Sequence, residues 1–138
     1  MQPYLTFDGN AAAALDFYCR CLGGQRTFSM TFADSPMAKD LPAAAQQRLM
    51  HGNMSARGFQ LMASDTMPGQ PFDGHKGFSL SVNSNDVAEG ERLFKALSEG
   101  GQVTMPYGPT FWAAGFGMLV DQFGVPWMVN VEVPQSHG

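Results

Sequence analysis

Slid against itself by 77 positions, the chain repeats. Phe17-Tyr-Cys-Arg-Cys-Leu-Gly-Gly-Gln-Arg-Thr-Phe28 lies over Phe94-Lys-Ala-Leu-Ser-Glu-Gly-Gly-Gln-Val-Thr-Met105, with five of twelve residues identical. Each window reads as the end of a helix, a Gly-Gly stop and the start of a strand. Two unrelated helix-to-strand joints would carry Gly-Gly on their own account, so the order of the surrounding elements has to decide whether the match is a duplication.

That order is the same on both sides. Met1 to Phe7 is short, mostly apolar and bounded by Asp8-Gly9-Asn10, which predicts a strand and a turn. Asn10 then caps a helix whose Ala14, Leu15, Tyr18 and Leu22 share one face. Gln25 to Phe32 reads as a strand and 33–47 as a long loop with a short helical turn. Arg48 to Ala56 and Phe59 to Ser64 form a hairpin around Arg57-Gly58. Residues 66–76, with Pro68, Gly69, Pro71 and Gly74, are a linker. The sequence then restarts: a strand from Gly77 to Val82, and a helix opened by Asn85 or Asp86 that carries Val87, Gly90, Leu93, Phe94 and Leu97 on one side. Strands follow at Gln102 to Met105, Phe116 to Val120 and Val125 to Val133, the last two joined by an Asp121-Gln-Phe-Gly124 turn. The expected organisation is a first βαβββ module at 1–65, a linker at 66–76, a second module at 77–133 and a tail at 134–138, an α+β fold. Each four-stranded antiparallel sheet would carry its helix on one face, and the two other faces would curl into one mixed sheet around a cavity.

Composition narrows the partners. Eight Lys and Arg against twelve Asp and Glu give a net charge of −4, and the basic residues are scattered, whereas nucleic acid needs a clustered positive field. No window approaches the roughly 18 apolar residues of a membrane span, and Met1 to Asn10 has no basic n-region or apolar core, so a cytoplasmic protein is expected. Cys19 and Cys21 point about 200° apart on a helix, which makes them packing thiols rather than a disulfide or metal pair. Charged residues make up only 14%, against roughly 25% in an average domain. Part of the surface is therefore expected to be covered by a second copy, as a homodimer.

Pro3-Tyr-Leu-Thr-Phe-Asp-Gly-Asn10, Phe17-Tyr18, Met50-His51, Leu61-Met62-Ala-Ser-Asp65, Thr110-Phe-Trp112 and Asp121-Gln-Phe-Gly-Val-Pro-Trp-Met-Val-Asn130, with both Gly-Gly pairs, span nearly the whole chain. Together they resemble the PhnB-like branch of the glyoxalase, bleomycin-resistance and extradiol-dioxygenase superfamily, the vicinal oxygen chelate fold. The resemblance implies two βαβββ modules in a homodimer and leaves the reaction undetermined, because the superfamily holds isomerases, lyases, dioxygenases and binding proteins. Metal-dependent members carry a His or Glu on the first and last strand of each module. Those places fall here at Pro3 or Tyr4, near Gln60, at Gly77 and at Met128, and none is a His, Asp or Glu. No metal and no cofactor is therefore expected. The family also carries a demethylubiquinone methyltransferase label, but no glycine-rich nucleotide loop stands in this sequence to hold a methyl donor.

His51 is the candidate catalytic residue: either a proton carrier beside the cavity or a half-buried histidine bonded to a neighbouring carbonyl. Tyr4, Phe59, Trp112, Phe116, Phe123 and Trp127 would line a pocket or simply fill the core, with Trp112 the best placed because its loop projects it. Ser79 and Ser81 share a strand face with Gly77 and would either meet a ligand or let two sheets approach, while Asp121 is read as a turn residue. The expected function is metal-independent binding of a small molecule by Tyr4, His51, Gln60, Ser79, Ser81, Trp112, Phe116 and Met128. The competing reading is an enzyme, a lyase, isomerase or oxygenase acting on a small oxygenated or phosphonate-like substrate, with His51 as acid or base.

Overall fold

The computed structural model describes residues 1–133, and the chain forms two compact units, Met1–Asp73 and Gly74–Gly138. The tail at 134–138 lies outside the described residues. In the first unit β1 (Tyr4–Phe7), α1 (Ala11–Leu22), β2 (Gln25–Thr31), β3 (Leu49–Ala56) and β4 (Phe59–Asp65) follow the expected order. A single-turn helix α2 (Ala43–Gln46) and two 3-10 turns, Phe32–Asp34 and Ala38–Asp40, occupy the long loop. The second unit repeats the order with β5 (Leu80–Ser84), α3 (Val87–Ser98), β6 (Gln102–Gly108), β7 (Ala113–Val120) and β8 (Pro126–Glu132). The fold is α+β, two βαβββ units.

Both sheets are mixed and not antiparallel throughout. Strands lie in the order β1-β4-β3-β2 and β5-β8-β7-β6, with β1 parallel to β4 and β5 parallel to β8. The reason is topological. A helical crossover sets the second strand of each unit parallel to the first, and two reversals then return the fourth strand to that same direction beside it.

One face of each sheet takes its helix. In the first unit Ala11, Ala14, Leu15, Tyr18 and Leu22 of α1 are buried, as are Met54 and Ala56 of β3 and Leu61 and Ala63 of β4, following the 3.6 and 2.0 periods. In the second, Leu93, Phe94 and Leu97 are buried together with Val82, Leu119, Trp127, Val129 and Val131. Arg57 (φ 53°) and Gly58 (φ 84°) both take the positive φ that a two-residue primed hairpin turn requires. Burial pushes the Cys19 thiol above its ordinary range, with Asp16 adding and Arg26 opposing, which suits a packing role.

Three local expectations need correction, and one choice left open is decided. The strand expected from Gly77 begins at Leu80; Gly77 sits at φ +83°, and Phe78, which that strand would have included, is 41% exposed. Val87 is exposed because it opens the first turn of α3, before the helix has closed onto the sheet. Asn10 stands at the N-cap of α1 but its side chain caps nothing; the Asp65 carboxylate accepts instead from Ala11 N and Gly9 N, both at 2.9 Å. Trp127 is core: its indole donates to Asp121 Oδ2 at 2.8 Å, and Asp121 also accepts from Phe123 N and Val125 N, as a turn residue should.

Candidate functional site

The face of the first sheet turned away from α1 is built from alternate residues, because successive side chains on a strand point to opposite sides. The register lays Tyr4, Met62, Asn53 and Phe28 in one row across β1, β4, β3 and β2. Met30 stands beside His51 one step along the strands. Residues so aligned have Cβ atoms about 5 Å apart, close enough for one small molecule to touch several.

Within this face the Tyr4 hydroxyl lies 2.9 Å from His51 Nδ1, across 47 residues of sequence. The His51 ring is 5.5 Å from that of Tyr4 and 5.8 Å from that of Phe28, centroid to centroid. The half-buried histidine of the sequence reading is thus held by a phenol and not by a backbone carbonyl. With the phenol as donor, the neutral ring carries its proton on Nε2; with the ring protonated, Nδ1 donates to the phenol oxygen. Nε2 meets no hydrogen-bond partner among the described residues.

Asn53, two residues along β3 from His51, was not singled out by sequence. Its Oδ1 is shielded from solvent and meets no donor among the described residues. Buried polar atoms are nearly always paired, so this amide is an exception that asks for a cause. The only sequence signal was its spacing from His51 on an alternating strand.

Of the other expected residues, Gln60 is exposed on β4 on the same side as Met62. In the second unit, Ser81, Met128, Met118 and Met105 form the row that corresponds to Tyr4, Met62, Asn53 and Phe28. Phe116 lies one step along, opposite Asn130, and carries Trp112 against it edge to face at 5.3 Å. Ser79 precedes β5, outside the paired strand, so the alternation that puts Ser81 on this face does not extend to it. Phe59 alternates with Gln60 and falls on the helix side with Leu61.

The register also moves the positions at which a metal would be expected. Ser81 and not Gly77 is the counterpart of Tyr4, and Met62 and not Gln60 is the counterpart of Met128. A phenol, a hydroxyl and two thioethers at these four places do not fit a borderline or hard divalent cation, which takes imidazole, carboxylate or thiolate. Among the described residues no group of three or more His, Cys, Asp or Glu is placed to hold a metal.

Comparison with known proteins gives a family model described as 3-demethylubiquinone-9 3-methyltransferase, matching residues 1–130. The protein YjdN of Escherichia coli is 37% identical over 139 residues, covering 95% of this chain and 94% of that one. The crystal structure of protein PA1353 from Pseudomonas aeruginosa is 50% identical, covers 96% of both chains and superposes with a TM-score of 0.87. The PhnB protein of Bacillus cereus, at 22% identity and a TM-score of 0.79 over 95% of this chain and 98% of that one, shares the fold.

Proposed function

The chain belongs to the PhnB-like family of the vicinal oxygen chelate superfamily, and from that membership we propose that it binds a small molecule, without a resident metal, on the helix-free faces of its sheets. The observation that carries the reading is the Tyr4–His51 pair on the same sheet face as the Asn53 oxygen, which meets no donor among the described residues. Three adjacent polar groups on one sheet face, ringed by Phe28, Met30 and Met62, have the make-up of a small-molecule site: apolar lining with a few placed hydrogen-bonding groups. In the second unit Ser81, Trp112, Phe116 and Met128 offer a softer, aromatic and thioether surface that adapts to ligand shape.

The methyl transfer named in the family description is not carried over. The connections from strand to helix are Asp8-Gly9-Asn10 and Asn85-Asp86, short turns without a glycine-rich cradle for a nucleotide-type donor.

A thermal-shift screen checks the binding reading. A ligand at a hundred times its dissociation constant stabilises by about 2.7 kcal/mol, and His51→Gln or Tyr4→Phe is expected to weaken binding at least tenfold while the unliganded melting temperature stays within a few degrees. Stoichiometric transition metal in protein purified without chelator, lost on changing His51 or Gln60, would overturn the metal-free reading. A histidine oriented by a phenol is also the arrangement of a general base, which favours the enzyme as the second reading. Turnover of a bound compound that His51→Gln abolishes would establish it.

We further propose a homodimer in the cytoplasm. Support comes from Phe111, 95% exposed with its ring 4.8 Å from that of Trp112, and from Cys19 and Cys21, which are thiols suited to a reducing compartment. Light scattering is expected to give twice the 14.9 kDa chain mass, and a monomer at micromolar concentration would rule the dimer out.

A further inference from the structure

We infer that the helix-free face of the first sheet takes an uncharged ligand, a flat and largely apolar molecule that donates an N–H or O–H to Asn53 Oδ1. The inference rests on the binding reading above and narrows it to a chemical class.

The first support is a census of charge. Of the eight Lys and Arg residues in the chain, Arg26 alone lies in a strand. Arg26 pairs in register with the buried Met54, which places it on the helix side, and its guanidinium is bound to Asp16 of α1 at 2.8 Å. The one strand carboxylate of the first unit, Asp65, is likewise on the helix side, bound to the start of α1. The strands therefore bring no formal charge to the helix-free face except what His51 acquires on protonation. A phosphonate, sulfonate or carboxylate moved onto a partly apolar surface needs a cation or a fork of donors to offset its lost hydration, and the strands of this face supply neither. The net charge of −4 works in the same direction. The phosphonate-like substrate of the enzyme reading is thereby disfavoured.

The second support is the polarity of what is present. Asn53 Oδ1 is an acceptor without a donor among the described residues, so a ligand atom that displaces the groups shielding it and meets it carries hydrogen. The amide stands in register between Phe28 and Met62, a ring and a thioether that favour a flat partner. His51 Nε2 can then serve a ligand acceptor on the neighbouring row, which describes an amide, a lactam or a phenolic carbonyl compound rather than an anion.

The experiment is a titration of 15N-labelled full-length protein with a fragment set in which each neutral aromatic amide, such as benzamide, is matched by its anionic counterpart, such as phenylphosphonate or benzoate. The amide signals of His51 to Asn53 are expected to shift with neutral members and not with anionic ones. Asn53→Leu, which keeps the branching of the side chain and removes the acceptor, is expected to weaken the neutral hits at least tenfold while raising the melting temperature of the unliganded protein. Anionic members binding this face as tightly as their neutral partners would overturn the inference and leave the binding reading standing, as would Asn53→Leu binding the neutral hits unchanged. No shift on this face from any member would overturn the binding reading itself and the inference with it.

Discussion

Alanine at Gly24 or Gly101 is expected to destabilise the protein by about 3 kcal/mol or more, enough to unfold much of a chain whose total stability is of the usual 5–15 kcal/mol. These are the second glycines of the two Gly-Gly pairs. A Cβ at Gly24 would press into the carbonyl oxygen of Ser55 and come within 2.6 Å of Ala56 Cβ. At Gly101 it would press into the carbonyl oxygen of Val120 and lie 2.8 Å from the carbonyl carbon of Asp121. Both obstacles are backbone of the neighbouring strand, which cannot rotate away as a side chain would. The first glycines are required for their backbone angles instead, since Gly23 at φ +71° is the left-handed C-cap of α1 and Gly100 at φ +75° turns the chain just after Glu99, the extended C-cap of α3. Nothing lies within 4 Å of a Cβ built on Gly23, so Gly23→Ala is expected to cost only the left-handed penalty, about 1–2 kcal/mol. Equilibrium urea unfolding of the four single alanine variants checks the order. Equal losses at Gly23 and Gly24 would show that the pair is a helix stop and nothing more.

That division of labour explains why the repeat was legible. A glycine forced by φ and a glycine forced by backbone contact are both written locally, at the joint between helix and strand, so both copies preserve them through a 77-residue offset. Tyr4, Met62, Asn53 and Phe28 in one unit and Ser81, Met128, Met118 and Met105 in the other hold equivalent places with different side chains. The duplicated scaffold was kept while the surface changed, so self-comparison found the fold and missed the site. The pairing of Tyr4 with His51 joins residues 47 apart, and no local spacing encodes it. Alternation read from Gly77 erred by assuming the strand began with the first alternating residue, whereas backbone pairing with β8 starts only at Leu80. Once that register is fixed, Ser81 and Met62 take the places that Gly77 and Gln60 were given.

The N-termini of the two helices show the same limit and lead to the second large expected effect. Helix α3 is capped from its own sequence: Asp86 accepts from Ala88 N at 3.0 Å, and Glu89 sits in the first turn. Helix α1 has no acidic residue in its first turn and no side-chain cap from Asn10. Asp65 replaces both from 54 residues away, Oδ1 accepting from Gly9 N and Ala11 N and Oδ2 from Leu49 N, each at 2.9 Å. One buried carboxylate thus ties the end of β4 to the start of α1 and the start of β3. Asp65→Ala strands three backbone donors, two of them buried, and at about 1–3 kcal/mol for each buried loss the variant is expected to lose about 3–5 kcal/mol. Asp65→Asn can keep one oxygen for Gly9 and Ala11 but turns an NH2 toward the Leu49 amide, so roughly half that loss is expected. Leu49 lies two residues before His51, and slackening it should also disturb the Tyr4–His51 contact. Amide exchange of the Asn variant, at a temperature where it remains folded, is therefore expected to be faster across Leu49 to Asn53 than across the same stretch of the parent. A loss below 1 kcal/mol for Asp65→Ala, with exchange in β3 unchanged, would mean that this carboxylate is a local turn residue and that α1 finds its cap elsewhere.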